Sequence, residues 1–206
     1  MNTFSNGLLN EQAFALTVNG RNLLSVLMLP DHPDEFARGY LATEAIIPAD
    51  EIESIMIDGT TISVLTRNSF KVLLPKRVVI SSGITIPTDT LATPFPQNIL
   101  NAGGYSAAAV LPDGTTFTSG DLSQPVALDK ACGLLLHAGH PPSAAALVIS
   151  GKPTADTIRK TLNTGFSILA AYQPPTALAV ELAKTGNLTL ADIPHKKIHT
   201  CPERIR

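Results

Sequence analysis

The stretch that decides the fold is residues 145–172, AALVISGKPTADTIRKTLNTGFSILAAY. It begins and ends with the short apolar runs AALVIS and FSILAAY, which have the length and composition of buried strands. Between them a helix is predicted from Thr154 to Asn163, because Thr is a favoured N-cap and Gly165 is a typical helix end. A strand, a helix and a second strand at this spacing predict a crossover unit with two parallel strands.

The alternation of strands and helices continues towards the C-terminus. A second helix is predicted from Thr176 to Thr185, with Gly186 at its end, and the run LTLADI follows as a third strand. This β-α-β-α-β succession predicts an α/β unit whose parallel strands are covered by helices.

Two connections in this unit are candidate ligand sites, because open α/β sheets bind ligands beyond the carboxyl ends of their strands. They are Ser150-Gly151-Lys152 and residues 172–176, YQPPT. Each leads into a helix whose first amide groups have no partner within the helix and are available to an anion, and Lys152 adds positive charge. An ordinary capped helix start is the alternative for both. The first connection is not a P-loop, because no Gly stands five residues before Gly151.

Upstream, the predicted elements are a proline-rich segment, a hairpin and a helix. Residues 84–98, ITIPTDTLATPFPQN, contain prolines that remove backbone donors, which predicts a linker or a loop draped over the fold. YSAAAVL and TTFTS flank Pro112-Asp113-Gly114 and predict a hairpin. PVALDKACGLLLHAG is predicted helical, with Ser123 or Asp121 near its start.

The N-terminal part has the alternation and turn pairs of a small α+β unit. AFALTV and LLSVLML flank Asn19-Gly20, and IESIMI and TISVLT flank Asp58-Gly59, so each pair predicts a hairpin. A helix with Asp31 as N-cap, ended by Pro48, is predicted between the hairpins. FKVLLP and RVVI are predicted to continue the sheet.

These elements predict a mixed α+β and α/β chain in two parts. Residues 1–83 are predicted to form the small hairpin and helix domain, and residues 84–206 the larger α/β domain. The chain has 206 residues, 44% of them apolar, which is enough to build a packed core.

Composition excludes several classes of function. The formal net charge is −2 and 16% of residues are charged, so no basic face for a nucleic-acid backbone is expected. No apolar run is long enough to span a bilayer, and the start MNTFSNGLLNEQ lacks the regions of a secretory signal, so we expect a cytoplasmic protein without a membrane partner. Cys132 and Cys201 are too far apart for a CxxC motif and too few for a disulfide framework.

Metal-dependent and nucleophilic chemistry find little support in the sequence, and no metal site is predicted. His195 and His199 have a helical metal spacing, but Pro194 and the β-like KKIHT argue against a shared helix face. His137 and His140 are interpreted as contacts to carbonyl groups at a helix end. A Ser nucleophile at residue 81 or 82 would need a His and a carboxylate nearby, and the Gly-x-Ser-x-Gly elbow is missing.

An ordered series of short segments resembles the FdhD family of formate dehydrogenase accessory proteins. The segments run along nearly the whole chain, and their order is more specific than any one of them. They are FARGYLATEAII, AGGYSAAAVLPDG, ALDK, VISGKPT, PPTALAVELA and CPERI.

The resemblance implies an activity, a fold and a set of partners. Members of the family are sulfurtransferases that relay sulfur from a cysteine desulfurase to the molybdenum cofactor of formate dehydrogenase. Their larger domain is similar to the three-layer fold of cytidine deaminases, and they form homodimers. The implied ligand, bound without a covalent bond, is the molybdenum bis-guanine-dinucleotide cofactor or a GDP-like molecule.

The family's relay turn, Cys-Gly-x-Cys, falls on Ser82-Gly83-Ile84-Thr85, so both thiols are replaced by hydroxyls. Persulfide chemistry requires a thiolate that attacks sulfur and later releases it, and Ser and Thr hydroxyls do neither at neutral pH. Zinc deamination is also excluded, because the Pro-Cys-x-x-Cys pair that it needs is missing.

The remaining thiols are weak substitutes. Cys132 lies among apolar residues of a predicted helix and is interpreted as a buried core residue. Cys201 falls where the family often has His and is interpreted as an exposed, unreactive thiol.

The resemblance also assigns the ligand site, with departures. The family's His after the Gly-Gly pair falls on Ser106, and the Arg of its Ser-Gly-Arg loop is Lys152, which keeps the charge but loses the bidentate fork. We expect the relay turn to share one cavity with the two crossover connections. The predicted binding residues are Gly103, Gly104, Ser106, Asp121, Ser150, Gly151, Lys152, Thr154, Pro175 and Thr176.

Two functional interpretations remain at this point. The chain is either a maturation factor for formate dehydrogenase whose sulfur step has changed or moved to a partner, or a non-catalytic paralogue that binds a guanine nucleotide or the cofactor as a scaffold. Sulfur loading by a cysteine desulfurase separates the two.

Overall fold

A computed structural model describes residues 2–67 and 78–206. Its strands are β1 (Phe4–Ser5), β2 (Leu8–Leu9), β3 (Gln12–Val18), β4 (Arg21–Met28), β5 (Ile52–Asp58), β6 (Thr61–Thr66), β7 (Tyr105–Val110), β8 (Thr116–Asp121), β9 (Ala146–Ile149), β10 (Ile168–Ala171), β11 (Thr189–Asp192) and β12 (Lys197–Thr200). Its α-helices are α1 (Pro33–Thr43), α2 (Gln97–Asn101), α3 (Gln124–His137), α4 (Ala155–Thr164) and α5 (Ala177–Thr185).

The larger sheet has six strands in the order β12-β11-β10-β9-β7-β8. β9, β10 and β11 are parallel and are joined by α4 and α5, which confirms the predicted crossover unit. β7 and β8 form the predicted hairpin, and β7 pairs with β9 in the antiparallel sense. The carboxyl ends of β9 and β10 therefore lie side by side at one edge of this sheet.

The two faces of the larger sheet are covered differently. On one face, Ala107, Leu147 and Leu169 pack against residues of α3, α4 and α5. On the other face, Ala108, Val148 and Ile168 pack against Ile86, Leu91 and Phe95 of the proline-rich segment. The segment is thus a draped loop, as predicted, and it carries a short helix, α2, at its end.

The smaller sheet has the order β4-β3-β6-β5 and contains both predicted N-terminal hairpins. Its inner face packs against α1 through Phe14, Leu16 and Phe36. Asp31 is not the N-cap of α1: that position is His32, whose φ of 53° is left-handed and whose side chain makes no capping hydrogen bond. FKVLLP lies outside the described residues, and residues 78–80 of the predicted strand RVVI are not a strand.

Helices α1 and α3 cross at backbone contact distance. A Cβ atom at Gly39 would overlap the carbonyl oxygen of Asp129, and one at Gly133 would overlap that of Glu35. This crossing joins the smaller sheet to the larger one. The domain boundary after residue 83 stays a prediction. No helix in residues 2–67 and 78–206 is long and apolar enough to cross a membrane.

Candidate functional site

A pocket of about 450 Å³ opens beyond the carboxyl ends of β9 and β10. Ser150 and Tyr172, the residues that directly follow these strands, both line it. We call it the Tyr172 pocket. Its other lining residues are Thr93, Pro94, Phe95, Gln97, Leu100, Gly104, Tyr105 and Gln173.

Hydrogen bonds fix the connection after β9 at the base of the pocket. The Ser150 amide donates to the carbonyl of Ser106 over 2.9 Å, and the Ser106 amide donates to Ser150 Oγ over 2.9 Å. The Gly151 amide donates to Gln124 Oε1 over 2.8 Å. A Cβ at residue 151 would lie 2.6 Å from that oxygen and 3.1 Å from the ring of Tyr105, so a larger residue there would displace the Gln124 amide or the ring.

The starts of α4 and α5 lie next to each other at this edge of the sheet. The Thr176 amide donates to the carbonyl of Pro153 over 3.1 Å. Each helix is capped by its own Thr: Thr154 accepts from the amide of Thr157, and Thr176 from that of Ala179. Asp156 places a carboxylate in the first turn of α4, whereas the first turn of α5 has no acidic residue. An anion is therefore better accommodated at the start of α5.

Polar groups without a protein partner lie near or in the pocket. Thr93 is 5% exposed, lines the pocket, and its Oγ1 finds no hydrogen-bond partner in the described residues. Ser106 Oγ is also buried without a partner in that part of the chain. Buried hydroxyls are normally satisfied, so both groups are available to a ligand or water.

The aromatic part of the pocket is the pair Phe95 and Tyr172, whose rings meet edge to face with centroids 5.4 Å apart. Burial raises the pKa of the Tyr172 phenol, so this group stays protonated and able to donate at neutral pH. Gln97 and Gln173 add amide groups that both donate and accept.

The other predicted binding residues divide into two groups. Gly103, in a left-handed turn with φ of 85°, lies beside the pocket residue Gly104. Lys152 and Thr154 are exposed and Pro175 is half-buried, all in the crossover connections next to the pocket.

Asp121 lies outside the Tyr172 pocket. It is fully buried, 2.7 Å from Lys130 Nζ, and accepts hydrogen bonds from the amides of Leu29 and Leu122 over 3.0 and 2.7 Å. Burial raises its pKa, and the charge of Lys130 opposes that rise. The side chain holds the end of β4 against the larger sheet.

The turn at Ser82–Thr85 lies at the opposite edge of the larger sheet. A Cβ at Gly83 would lie 2.5 Å from Arg204 Nε and 2.7 Å from Ser167 Oγ, and Ser167 directly precedes β10. The pocket lies after β10, so the length of a strand, about 15 Å at 3.3 Å per residue, separates the two places. The expectation of one shared cavity is wrong.

Neither thiol lies within the turn itself. Cys132 is fully buried on α3, and burial raises the pKa of its thiol, which leaves it unreactive. Cys201 is half-buried rather than exposed, and its Sγ donates to Asn187 Oδ1 over 3.1 Å.

A family model described as the FdhD/NarQ family matches residues 9–92 and 96–206. The chain belongs to the FdhD/NarQ family. Among its relatives, the sulfur carrier protein FdhD of Bordetella parapertussis is 30% identical, over 95% of this chain and 86% of the relative. That of Staphylococcus haemolyticus is 27% identical, over 95% and 88%.

A solved structure agrees with the fold of this FdhD/NarQ family member. The crystal structure of a putative formate dehydrogenase accessory protein from Desulfotalea psychrophila superposes with a TM-score of 0.82, over 97% of this chain and 91% of that one, at 22% identity. The resemblance stated from the sequence and the mixed α/β fold are thus confirmed.

Sequence patterns missed the part of the pocket contributed by residues 93–97 and Tyr105. Tyr172 had a signal, because it directly follows a predicted strand. Thr93 and Phe95 had none, since their position depends on the path of the draped loop across the sheet.

Proposed function

We propose that this FdhD/NarQ family member is an accessory protein for formate dehydrogenase that holds the guanine-nucleotide end of the molybdenum cofactor in the Tyr172 pocket and carries no sulfur on its own turn. The observation that carries the proposal is the pocket itself, formed at the carboxyl edge of the parallel strands by residues from three separate segments. This position is the usual ligand site of open α/β sheets.

The pocket suits a nucleotide in size and chemistry. Its volume of 450 Å³ lies in the range of small-molecule sites, and the ring of Tyr172 offers a surface for stacking a base. Thr93 Oγ1, Gln97 and Gln173 supply donors and acceptors for the edge of a purine. The start of α5 and the exposed Lys152 supply a place for phosphate.

The chain's role is therefore to bind and orient its cargo. When bound, the cofactor supplies the metal and its sulfur ligands. The Tyr172 phenol and the two glutamine amides orient the base. The pairing of Ser150 with Ser106 keeps the loop below it rigid.

The first test is sulfur loading. The full chain is incubated with a cysteine desulfurase and ³⁵S-labelled cysteine, and protein-bound label that a thiol reagent releases is counted. We expect no label above that of a Cys132→Ser/Cys201→Ser double variant, because the turn has hydroxyls, Cys132 is fully buried and the Cys201 thiol donates to Asn187. Releasable label on Cys201 would contradict the proposal.

Restoring the thiols provides a positive control. The double variant Ser82→Cys/Thr85→Cys recreates the family turn around Gly83, and it is expected to accept label from the same desulfurase at close to one sulfur per chain. Label on this variant, with none on the parent chain, would show that sulfur transfer is lost because Ser82 and Thr85 have hydroxyls in place of thiols.

The second test is ligand binding by calorimetry with GDP. Tyr172→Ala is expected to weaken GDP binding about 5- to 100-fold, the effect of losing one base-stacking surface. Lys152→Ala is expected to weaken GDP more than guanosine, because it removes only a phosphate contact. Lys184→Ala, an exposed lysine of α5, is the matched control. If the parent chain does not bind GDP, the assignment of the Tyr172 pocket as the guanine-nucleotide site is wrong.

A further inference from the structure

A second group of possible ligand side chains lies outside the Tyr172 pocket, where the start of α1 meets the end of α3. Asp34, Glu35 and His137 each offer a ligand atom, and these atoms lie within 4.8 Å of one another. His137 Nδ1 is 2.9 Å from Glu35 Oε1 and 3.8 Å from Asp34 Oδ2. His32 Nδ1 lies 3.6 Å from the other oxygen of the Glu35 carboxylate, Oε2, and is not one of the three clustered ligand groups.

The helix crossing holds these groups in place. Gly133 lies against the carbonyl of Glu35, so the backbones of α1 and α3 touch one helical turn from His137. Pro33 begins α1, and the left-handed backbone of His32 turns its imidazole back towards Glu35. Ligands on two packed helices are held more precisely than ligands on a loop.

The spacing fits a divalent ion. Metal bonds to nitrogen and oxygen of about 2.1 Å in a tetrahedral arrangement place ligand atoms roughly 3.5 Å apart. The two separations from His137 Nδ1, 2.9 Å to Glu35 Oε1 and 3.8 Å to Asp34 Oδ2, lie on either side of that value.

The charges in the cluster also favour a cation. Carboxylate oxygens of Asp34 and Glu35 lie within 4.8 Å of each other, and a divalent ion between them would relieve their repulsion. Glu35 is the most enclosed, with 10% of its side chain exposed, while His137 is 55% exposed and open to an incoming ion.

We propose that Asp34, Glu35 and His137 form a binding site for a borderline divalent transition-metal ion such as Zn²⁺. An imidazole with two carboxylates suits Zn²⁺, whereas Mg²⁺ and Ca²⁺ prefer sites made of oxygen alone. The site lies at the joint between the smaller and the larger sheet, so an occupied site clamps α1 to α3.

The test is calorimetry of the full chain, stripped with a chelator and titrated with ZnCl₂ or MgCl₂. We expect one Zn²⁺ per chain, no heat with Mg²⁺, and a rise in melting temperature with Zn²⁺ only. His137→Ala is expected to weaken Zn²⁺ binding at least about tenfold and to remove the rise in melting temperature. Because His137 is half-exposed, this variant should keep the fold, which circular dichroism checks.

Matched controls separate this site from others. His140→Ala changes a histidine three residues away that packs against Phe117 instead, and His195→Ala changes one that contacts Asp192. Both are expected to bind Zn²⁺ like the parent chain. Cobalt added in place of zinc should show no thiolate charge-transfer band, since neither cysteine is a ligand. No Zn²⁺ binding by the parent chain, or equal loss in the His195 variant, would overturn the site. GDP binding is unaffected by either result.

Discussion

Replacing Lys130 with Met is expected to lower the free energy of unfolding by about 3–5 kcal/mol, the cost of breaking a buried ion pair from one side. Lys130 is fully buried, and its Nζ lies 2.7 Å from Asp121 and 2.6 Å from Asp31. It also donates to the carbonyl of Leu29 over 2.9 Å. The Met side chain fills similar space but leaves the carboxylate of Asp121 buried without its cation.

Urea unfolding followed by circular dichroism measures this effect. Lys184→Met, the same change at an exposed position of α5, is the control and should alter stability by less than about 0.5 kcal/mol. Adding Asp121→Asn to Lys130→Met should recover about 1–2 kcal/mol, because the uncompensated charge is then removed. A Lys130→Met variant within about 1 kcal/mol of the parent would show that water reaches Asp121.

Asp121 and Lys130 also show where inference from the sequence reaches its limit. The crossover unit could be predicted because its apolar runs, Thr caps and terminal glycines are local signals, and Ser150 and Tyr172 followed from the rule that ligands bind at the carboxyl edge of the strands. The role of Asp121 could not, since the Leu29 amide that donates to it lies 92 residues away along the chain. Sequence alone presented it as a binding residue.

The prediction for the histidine at the end of α3 is wrong for a similar reason. His137 was interpreted as a contact to terminal carbonyl groups, a local explanation that any helix end allows. It faces Glu35 instead, because two glycines bring α1 against α3. Gly39 and Gly133 lie inside predicted helices, where each glycine costs about 1 kcal/mol of helix stability. A glycine kept inside a helix despite this cost indicates that another backbone approaches closely, and this was the signal available in the sequence.

Replacing Gly133 with Ala is therefore expected to destabilise the protein by about 3 kcal/mol or more, although Ala is the better helix former. The added methyl group would occupy the position of the Glu35 carbonyl oxygen, which is backbone and cannot turn aside. The helices must separate, which opens the junction through which the smaller sheet is joined to the larger one. Gly39→Ala should behave alike, since its methyl group meets the carbonyl of Asp129.

Thermal and urea unfolding of both variants measure the effect, with Gly186→Ala as the matched control. Gly186 has a φ of −87° and mainly flexible side-chain atoms of Leu162 around the added position, so its change should stay within about 1 kcal/mol. If Gly133→Ala is as stable as the parent, α1 and α3 do not touch as described. The distance between Glu35 and His137, and the metal site proposed between the two helices, would then be wrong as well.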